Sequence, residues 1–164
     1  MPFEMIQART EDIADIVNVL NQAATWQNSI NQPLWEASTL TETIITKDVT
    51  AGLYYVVKHE DVIVGTQRVQ LIDPVVWPDM PEENALYLHR IAVLGQHAGG
   101  GVSTFMFEWA KQHAVAQGRR FLRLDCELRP RLCAVYERSG FITHSERDVG
   151  EYHVRRYQID FESE

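Results

Sequence analysis

A run of three glycines, Gly99, Gly100 and Gly101, separates an apolar segment from a helical one in IAVLGQHAGGGVSTFMFEWA, residues 91–110. Glycines let several backbone N–H groups converge on an anion, and the start of a helix adds unpaired donors and the positive end of its dipole. The segment therefore predicts a site for a diphosphate group. No Gly-Lys-Ser/Thr follows and the Gly-x-Gly-x-x-Gly spacing is absent, which argues against a P-loop and a dinucleotide-binding loop. The alternative is a flexible turn that binds nothing.

The elements on either side of this loop are strands and helices in a mixed order. Apolar and β-branched runs predict seven strands, at residues 3–8, 53–58, 62–71, 86–93, 121–126, 141–146 and 152–161. Helical spacing of apolar residues predicts four helices, at residues 10–25, 39–47, 102–117 and 131–139. We expect a loop or broken helix at residues 26–38 and a turn at residues 48–52. Since no linker or repeat interrupts the sequence, the pattern predicts one α/β domain over residues 1–164.

The composition argues against some classes of binding partner. The net charge is −8, from 15 Lys and Arg against 23 Asp and Glu, which argues against general nucleic-acid binding. An acidic surface is compatible with a cationic substrate, and equally with solubility alone. No apolar run reaches the length of a bilayer and the start lacks a signal-like pattern, so we expect a cytoplasmic protein without membrane contact. Cys126 and Cys133 complete no metal site, and we expect both to be small buried hydrophobes.

Several motifs in order resemble one known family. LYLHRIAV at residues 86–93 precedes the glycine loop, and LRLDC at 122–126 and AVYERSGF at 134–141 follow it. Together with the opening IQARTEDIADI, they resemble the GNAT acyltransferase superfamily over residues 6–161. The resemblance implies a mostly antiparallel central sheet with splayed central strands. It also implies that acetyl-CoA is the co-substrate, that an amine attacks it directly in a ternary complex, and that two copies pair as a homodimer.

The resemblance places the cofactor at the glycine loop and on the strand before it. The family's loop, Arg/Gln-x-x-Gly-x-Gly/Ala, can begin at Gln96, which fits the letters, or at Ala98, which fits the spacing. We prefer Ala98, because Met106 and Phe107 then take the place of a buried apolar pair, although an alanine then stands at the usual basic position. The implied cofactor-binding residues are Ala98, Gly99, Gly100, Gly101, Val102, Ser103 and Thr104 at the diphosphate, and Ile91, Ala92 and Val93 along the pantetheine arm.

The resemblance also assigns the proton transfers. Tyr136 is expected to protonate the departing thiolate, which a phenol is able to do; the alternative is a helix tyrosine packed on the sheet. A charged amine must lose a proton before it attacks. Asp125 is the first candidate to accept that proton, through water, with His89 second and Glu127 third. Asp125 as a turn group and His89 as a structural residue are the alternatives.

The acceptor pocket is expected to use the segment that follows the first helix. The aromatic residues available to it are Trp26, Trp35, Trp77 and Tyr87. Aromatic faces suit cationic amines, although each of the four could instead fill the core. We expect a small amine such as a polyamine, amino acid or aminoglycoside as the acceptor. The alternatives are a protein N-terminus or lysine, and a non-catalytic module that binds acyl-CoA.

Overall fold

The computed structural model describes residues 2–33, 35–80 and 84–162, and within these residues the chain forms seven strands and four α-helices. The strands are Phe3–Gln7 (β1), Tyr54–His59 (β2), Val62–Gln70 (β3), Ala85–Val93 (β4), Phe121–Glu127 (β5), Ile142–Val149 (β6) and Tyr152–Asp160 (β7). The helices are Ile13–Ser29 (α1), Glu42–Thr50 (α2), Val102–Ala116 (α3) and Pro130–Arg138 (α4). The predicted α/β architecture is confirmed. None of the described helices is long and apolar enough to cross a membrane.

The strands form one sheet in the order β1-β2-β3-β4-β5-β7-β6. β1 with β2, β2 with β3, β5 with β7 and β6 with β7 pair antiparallel, while β4 and β5 run parallel. The β4–β5 ladder starts with Ala85 opposite Phe121 and ends with Tyr87 opposite Arg123. In the described part of the chain no later pair joins these two strands, although both continue. The central strands therefore part after Tyr87, which confirms the predicted splay.

The first helix is longer than predicted. α1 ends at Ser29 rather than near residue 25, because no glycine or proline interrupts the chain before Pro33. Trp26 is therefore helical, and the expected loop starts only after the helix ends.

The second helix begins and ends later than predicted. Thr41, not Thr39, is its N-cap, and its hydroxyl accepts a hydrogen bond from the Ile44 N–H at 3.4 Å. The helix then continues through Thr50, so it replaces most of the turn expected at residues 48–52.

The chain divides into two compact units, residues 1–69 with 90–106 and residues 70–89 with 107–164. In the first unit, aliphatic side chains of α1, α2 and β2 pack together with Leu40; among the most buried are Ile16, Leu20, Leu40, Ile45 and Val56. Each such side chain contributes about 1.5–3 kcal/mol on leaving water. In the second unit, one apolar cluster consists of Val76, Trp77, Ala85, Tyr87, Phe121 and Val154. Each unit therefore has its own buried apolar cluster.

Candidate active site

The glycine loop belongs to the first unit and connects β4 to α3. Gly99 and Gly101 have φ of 80° and 87°, a left-handed region that favours glycine. A Cβ added at either position would meet nothing within 4 Å, so the backbone there lies in open space. α3 begins at Val102, and Met106 and Phe107 are buried, as the register beginning at Ala98 predicts.

The start of α3 supplies hydrogen-bond donors. Phe105 N–H donates to Gly101 O at 3.0 Å. The N–H groups of Val102, Ser103 and Thr104 precede that bond, and first-turn amides have no intrahelical acceptor. An open helix N-terminus beside two left-handed glycines fits an anion such as a diphosphate.

Two other amides of the loop are used internally. Gly100 N–H donates to His97 O and Ala98 N–H donates to Gly95 O, both at 3.1 Å. The sequence prediction included Gly100 and Ala98 at the diphosphate, but their N–H groups close turns instead. The loop therefore offers fewer donors than the sequence suggested.

The end of β4 is irregular at the residue before Ile91. Arg90 has φ of 54°, a left-handed conformation that costs a non-glycine residue about 1–3 kcal/mol and often marks a functional position. After it, Ala92 is buried in the apolar cluster of α1 and α2, while Ile91 and Val93 pack against a different cluster. The side chains of Ile91 and Val93 thus point away from that of Ala92, as alternation along a strand requires.

In the second unit, Asp73, His89 and Asp125 form a cluster of titratable groups. His89 Nε2 lies 2.7 Å from Asp73 Oδ2, and His89 Nδ1 lies 3.8 Å from Asp125 Oδ1. The other Asp73 oxygen, Oδ1, accepts hydrogen bonds from the N–H groups of Val75 and Val76 at 3.2 and 3.0 Å. Asp73 is therefore fixed on both oxygens, and it holds the His89 ring by one nitrogen.

The pKa values of the two carboxyl groups in the cluster shift in opposite directions. Burial opposes ionisation of Asp73, but the hydrogen bonds from His89 and from the backbone outweigh it and lower the pKa of Asp73. Burial raises the pKa of Asp125, with Asp73 adding to the increase and His89 opposing it. Since an ionised Asp73 only accepts hydrogen bonds, His89 Nε2 donates to it, and Nδ1 is the ring nitrogen that faces Asp125.

The same three residues are also of types that can ligate a metal ion. Their ligand atoms lie within 4.8 Å of one another, and they are the one such group found in the described residues. Both Asp73 oxygens already accept hydrogen bonds, which leaves that carboxylate poorly placed to ligate an ion. The cluster fits proton transfer better than metal binding.

Tyr136 lies on α4 in the second unit and is 8% exposed. Its ring makes edge contacts with Phe107 and Phe141, with centroids 5.8 and 6.2 Å away. Burial raises the pKa of Tyr136, and the neighbouring Cys126 and Asp125 raise it further. The phenol therefore keeps its proton at neutral pH and is available as a donor.

The two cysteines also lie in this part of the second unit. Cys126 and Cys133 are buried and unoxidised, with their Sγ atoms 3.3 Å apart. Burial raises the pKa of the Cys126 thiol. A buried thiol that resists ionisation is a poor nucleophile, and both residues pack as small hydrophobes, as the sequence indicated.

The aromatic residues predicted for the acceptor are in different environments. Trp77 and Tyr87 are 1% and 2% exposed, and the guanidinium groups of Arg123 and Arg156 each lie 4.7 Å from the Trp77 ring. This burial leaves both aromatic residues little surface for a ligand and matches the alternative of core filling.

The other two aromatic residues lie in the first unit. Trp26 is 54% exposed on α1. Trp35 is partly buried, and the guanidinium of Arg90 lies 5.3 Å from its ring. The aromatic face predicted to attract a cationic amine therefore already contacts a cation of the chain itself.

Asp73 is a site residue that the sequence analysis missed. The candidate bases predicted from the sequence were Asp125, His89 and Glu127, in that order, and Asp73 was not among them. Glu127 forms an ion pair with Arg129, which occupies its carboxylate. An Asp before Pro74 is a turn-initiating signal and could have indicated the cap on Val75 and Val76, but not the contact with His89.

The site can now be compared with known proteins. A family model described as the acetyltransferase (GNAT) family matches residues 20–141. YesJ of Bacillus subtilis, an uncharacterized N-acetyltransferase, is 27% identical over 161 residues, which cover 93% of this chain and 88% of that protein.

Solved structures show the same fold. A GNAT-family acetyltransferase from Listeria monocytogenes has a TM-score of 0.81 at 23% identity, with 96% of this chain and 94% of that chain covered. The paiA N-acetyltransferase from Thermoplasma acidophilum, solved in complex with coenzyme A, has a TM-score of 0.76 at 12% identity, with 95% and 98% covered. At these identities the structural likeness shows the fold alone.

Proposed function

Because the chain belongs to the acetyltransferase (GNAT) family, we propose that it transfers the acetyl group of acetyl-CoA to the amine of a small molecule, by direct attack in a ternary complex. The observation that carries the proposal is the pair formed by Asp73 and His89, since it supplies a fixed proton acceptor that an amine nucleophile needs. The solved relatives match along nearly the whole chain, which supports one N-acetyltransferase domain over residues 1–164. Because acetyl-CoA is an intracellular metabolite, the proposal includes a cytoplasmic location.

The glycine loop is the proposed site for the diphosphate of acetyl-CoA. Gly99 and Gly101 keep side chains out of the way, and the amides of Val102, Ser103 and Thr104 donate to the phosphate oxygens. The backbone of Ile91 and Val93 is proposed to bond the pantetheine arm, with Ala92 as apolar packing. The thioester supplies an activated carbonyl carbon.

His89 is the proposed proton acceptor, with Asp73 as the residue that positions it. Nδ1 takes the proton that the ammonium group of the acceptor must lose, directly or through one water. We place His89 ahead of Asp125, reversing the preference drawn from the sequence, because burial raises the pKa of Asp125 and so disfavours the ionised carboxylate that would accept a proton. Asp125 lies beside Nδ1 and is proposed to orient the imidazolium that forms.

Tyr136 is the proposed proton donor to the leaving group. The amine nitrogen forms a bond to the carbonyl carbon, the carbon–sulfur bond breaks, and the thiolate takes the phenolic proton. The raised pKa of Tyr136 ensures that this proton is present when the bond breaks. Burial also excludes water that would compete as a nucleophile.

The acceptor is proposed to bind near Trp26, which lies on α1, and Trp35, which lies in the segment that follows α1. Trp77 and Tyr87 are proposed to support the packing of the second unit rather than to contact the acceptor, because they are buried against arginine side chains. A homodimer remains part of the proposal by family resemblance.

The proposal is tested by incubating the protein with acetyl-CoA and single amines from a panel of amino acids, polyamines and peptides. Free thiol is measured continuously, acetylated products are identified by mass spectrometry, and coenzyme A binding is measured in parallel by calorimetry. We expect thiol release with one class of small amine. Release with peptides alone would instead indicate a protein acceptor. Coenzyme A binding without thiol release for any amine would identify a non-catalytic binding module and contradict the proposal.

A further inference from the structure

Among the described residues, six buried side-chain atoms of the first unit have no hydrogen-bond partner. Three of them come from groups that can carry or bind charge: the Tyr54 hydroxyl, Arg68 Nε and Arg90 Nη1. The three residues lie on β2, β3 and β4, which are adjacent in the sheet, and Tyr54 is directly opposite Arg68 in the β2–β3 ladder. Arg68 interacts with the Tyr54 hydroxyl, which is able to accept a hydrogen bond from it. Arg90 Nη1 has no acceptor. Since a buried donor without an acceptor destabilises a fold, Arg90 points to an acceptor that this chain does not itself supply.

The charges of this cluster are unbalanced. Arg68 Nη1 pairs with Asp48 Oδ2 at 3.1 Å, whereas Arg90 takes part in none of the ion pairs among the described residues. Burial lowers the pKa of Arg90, and the nearby positive charge of Arg68 lowers it further. Two guanidinium groups thus share one carboxylate, and the remaining positive charge favours an anion.

Arg90 is held in one orientation. Its Nη2 donates to Thr39 Oγ1 at 3.2 Å and its guanidinium stacks on the Trp35 ring at 5.3 Å. Its backbone has the left-handed φ of 54° already described. These contacts fix the planar fork while leaving Nη1 without an acceptor, and a fixed fork suits a planar carboxylate.

We propose that Arg90, together with Tyr54 and Arg68, binds the carboxylate of the acceptor, so that the acceptor is an amine that also carries a carboxylate. The inference rests on the proposed function, because it identifies the ligand as the acceptor of that reaction. Arg90 contacts Thr39 and Trp35, which lie in the segment assigned to acceptor binding, and it directly precedes Ile91. An acceptor of the amino acid class has both groups, whereas a polyamine has no carboxylate.

The first experiment measures the anion site without catalysis. The protein saturated with coenzyme A is titrated with sodium acetate, with sodium chloride at equal ionic strength as control, and the arginine Nε–Hε signals are followed by NMR. Arg90→Gln identifies the Arg90 signal by its loss. We expect acetate to shift the Arg68 and Arg90 signals saturably and chloride to leave them in place. Equal shifts with both salts, or none, would overturn the inference.

The second experiment compares amines that differ only in the carboxylate. Amino acids are tested against their carboxamides, with the wild type, Arg90→Gln and Arg90→Lys. We expect the wild type to favour the carboxylate form by about tenfold or more in kcat/KM, because its hydrogen bonds to the fork are charge-assisted. Arg90→Gln should remove that preference, and Arg90→Lys should keep part of it.

Arg9→Gln is the matched control, since Arg9 is an exposed arginine of the same unit paired with Glu11. It should keep the wild-type preference. If the wild type acetylates carboxamides as fast as amino acids, the inference fails while the proposed function stands. If no amine is acetylated, the proposed function fails and the acetate titration alone decides whether the anion site exists.

Discussion

Two polar clusters in the described part of this protein differ in whether their buried polar atoms have hydrogen-bond partners within the chain. In the second unit, both oxygens of Asp73 accept hydrogen bonds and His89 is held at 2.7 Å. In the first unit, Arg90 buries Nη1 without a hydrogen-bond partner, beside Tyr54 and Arg68. The Asp73–His89 cluster can therefore transfer a proton with its own groups. The Arg90 cluster, in our proposal, gains its missing hydrogen-bond acceptor from a ligand.

The largest expected effect comes from removing the imidazole of the Asp73–His89 cluster. His89→Ala should lower kcat by about 10²- to 10⁴-fold, the usual contribution of a general base. The affinity for coenzyme A, measured by calorimetry, should not change, because His89 does not contact the glycine loop in this proposal. Glu127→Gln is the matched control and should retain activity; equal losses in the two variants would contradict the role of His89.

Asp73→Asn tests the positioning of His89 within the same cluster. An amide can accept the hydrogen bond from Nε2 or donate to it, so the variant no longer enforces one tautomer. We expect kcat to fall by roughly tenfold or more, with a smaller change in KM, and the pH–rate profile to move. A loss of stability alone, with an unchanged kcat and pH profile, would reduce Asp73 to a structural residue.

Removing the proposed acid should have the second largest effect on kcat, after His89→Ala. Tyr136→Phe keeps the ring contacts with Phe107 and Phe141 and loses only the hydroxyl. We expect kcat to fall by about 10²-fold while coenzyme A still binds. Tyr157→Phe is the control, because Tyr157 is a buried neighbour whose hydroxyl donates to Glu137 at 2.8 Å. If both variants lose the same activity, Tyr136 has no specific role.

A fourth test concerns the glycine loop. Gly101→Ala places a Cβ on a left-handed residue, which costs about 1–2 kcal/mol, and coenzyme A affinity should fall by roughly tenfold. Gly118→Ala is the control: its φ of 71° carries the same strain, its Cβ would also meet nothing within 4 Å, and it lies beyond the other end of α3. Equal affinities in the two variants, measured by calorimetry, would exclude the loop as the diphosphate site.

The smallest expected effect is on stability, and it comes from His153, an exposed histidine that also lies beside carboxylates. His153 lies between Asp148 and Glu146, at 2.6 and 2.8 Å, and these hydrogen bonds raise its pKa above the ordinary 6.5. Its contribution to stability is therefore complete below pH 6.5 and is lost as the pH rises through the raised pKa. Thermal unfolding across this range should show a small decrease that His153→Ala abolishes, with kcat unchanged.

The features that could be predicted from the sequence are those set by residues close together in the chain. The glycine loop, the start of α3 at Val102 and the order of elements follow from turn residues and apolar spacing. The positions of Asp125 and His89 near one another followed only from family resemblance. Their partner Asp73 was missed, because its contact with His89 depends on how the loop after β3 folds back.

The cluster formed by Tyr54, Arg68 and Arg90 could not be predicted from the sequence either. Tyr54, Arg68 and Arg90 are far apart in the chain, and only the strand order and the β2–β3 register bring them together. Trp35 was predicted to contact a cationic amine, and in the structure its ring lies against the guanidinium of Arg90. An aromatic residue in a sequence does not reveal which cation it covers.

The central claim is that the amine loses its proton to His89 as the acetyl group leaves acetyl-CoA. The most direct measurement combines isotope-labelled acetyl-CoA with an accepted amino acid and quantifies free thiol and labelled N-acetyl product by mass spectrometry. We predict equal amounts of both in the wild type, and a parallel fall of both in His89→Ala that a higher pH partly restores by deprotonating the amine in solution. Thiol without N-acetyl product, or a His89→Ala rate equal to that of the wild type, would contradict the account.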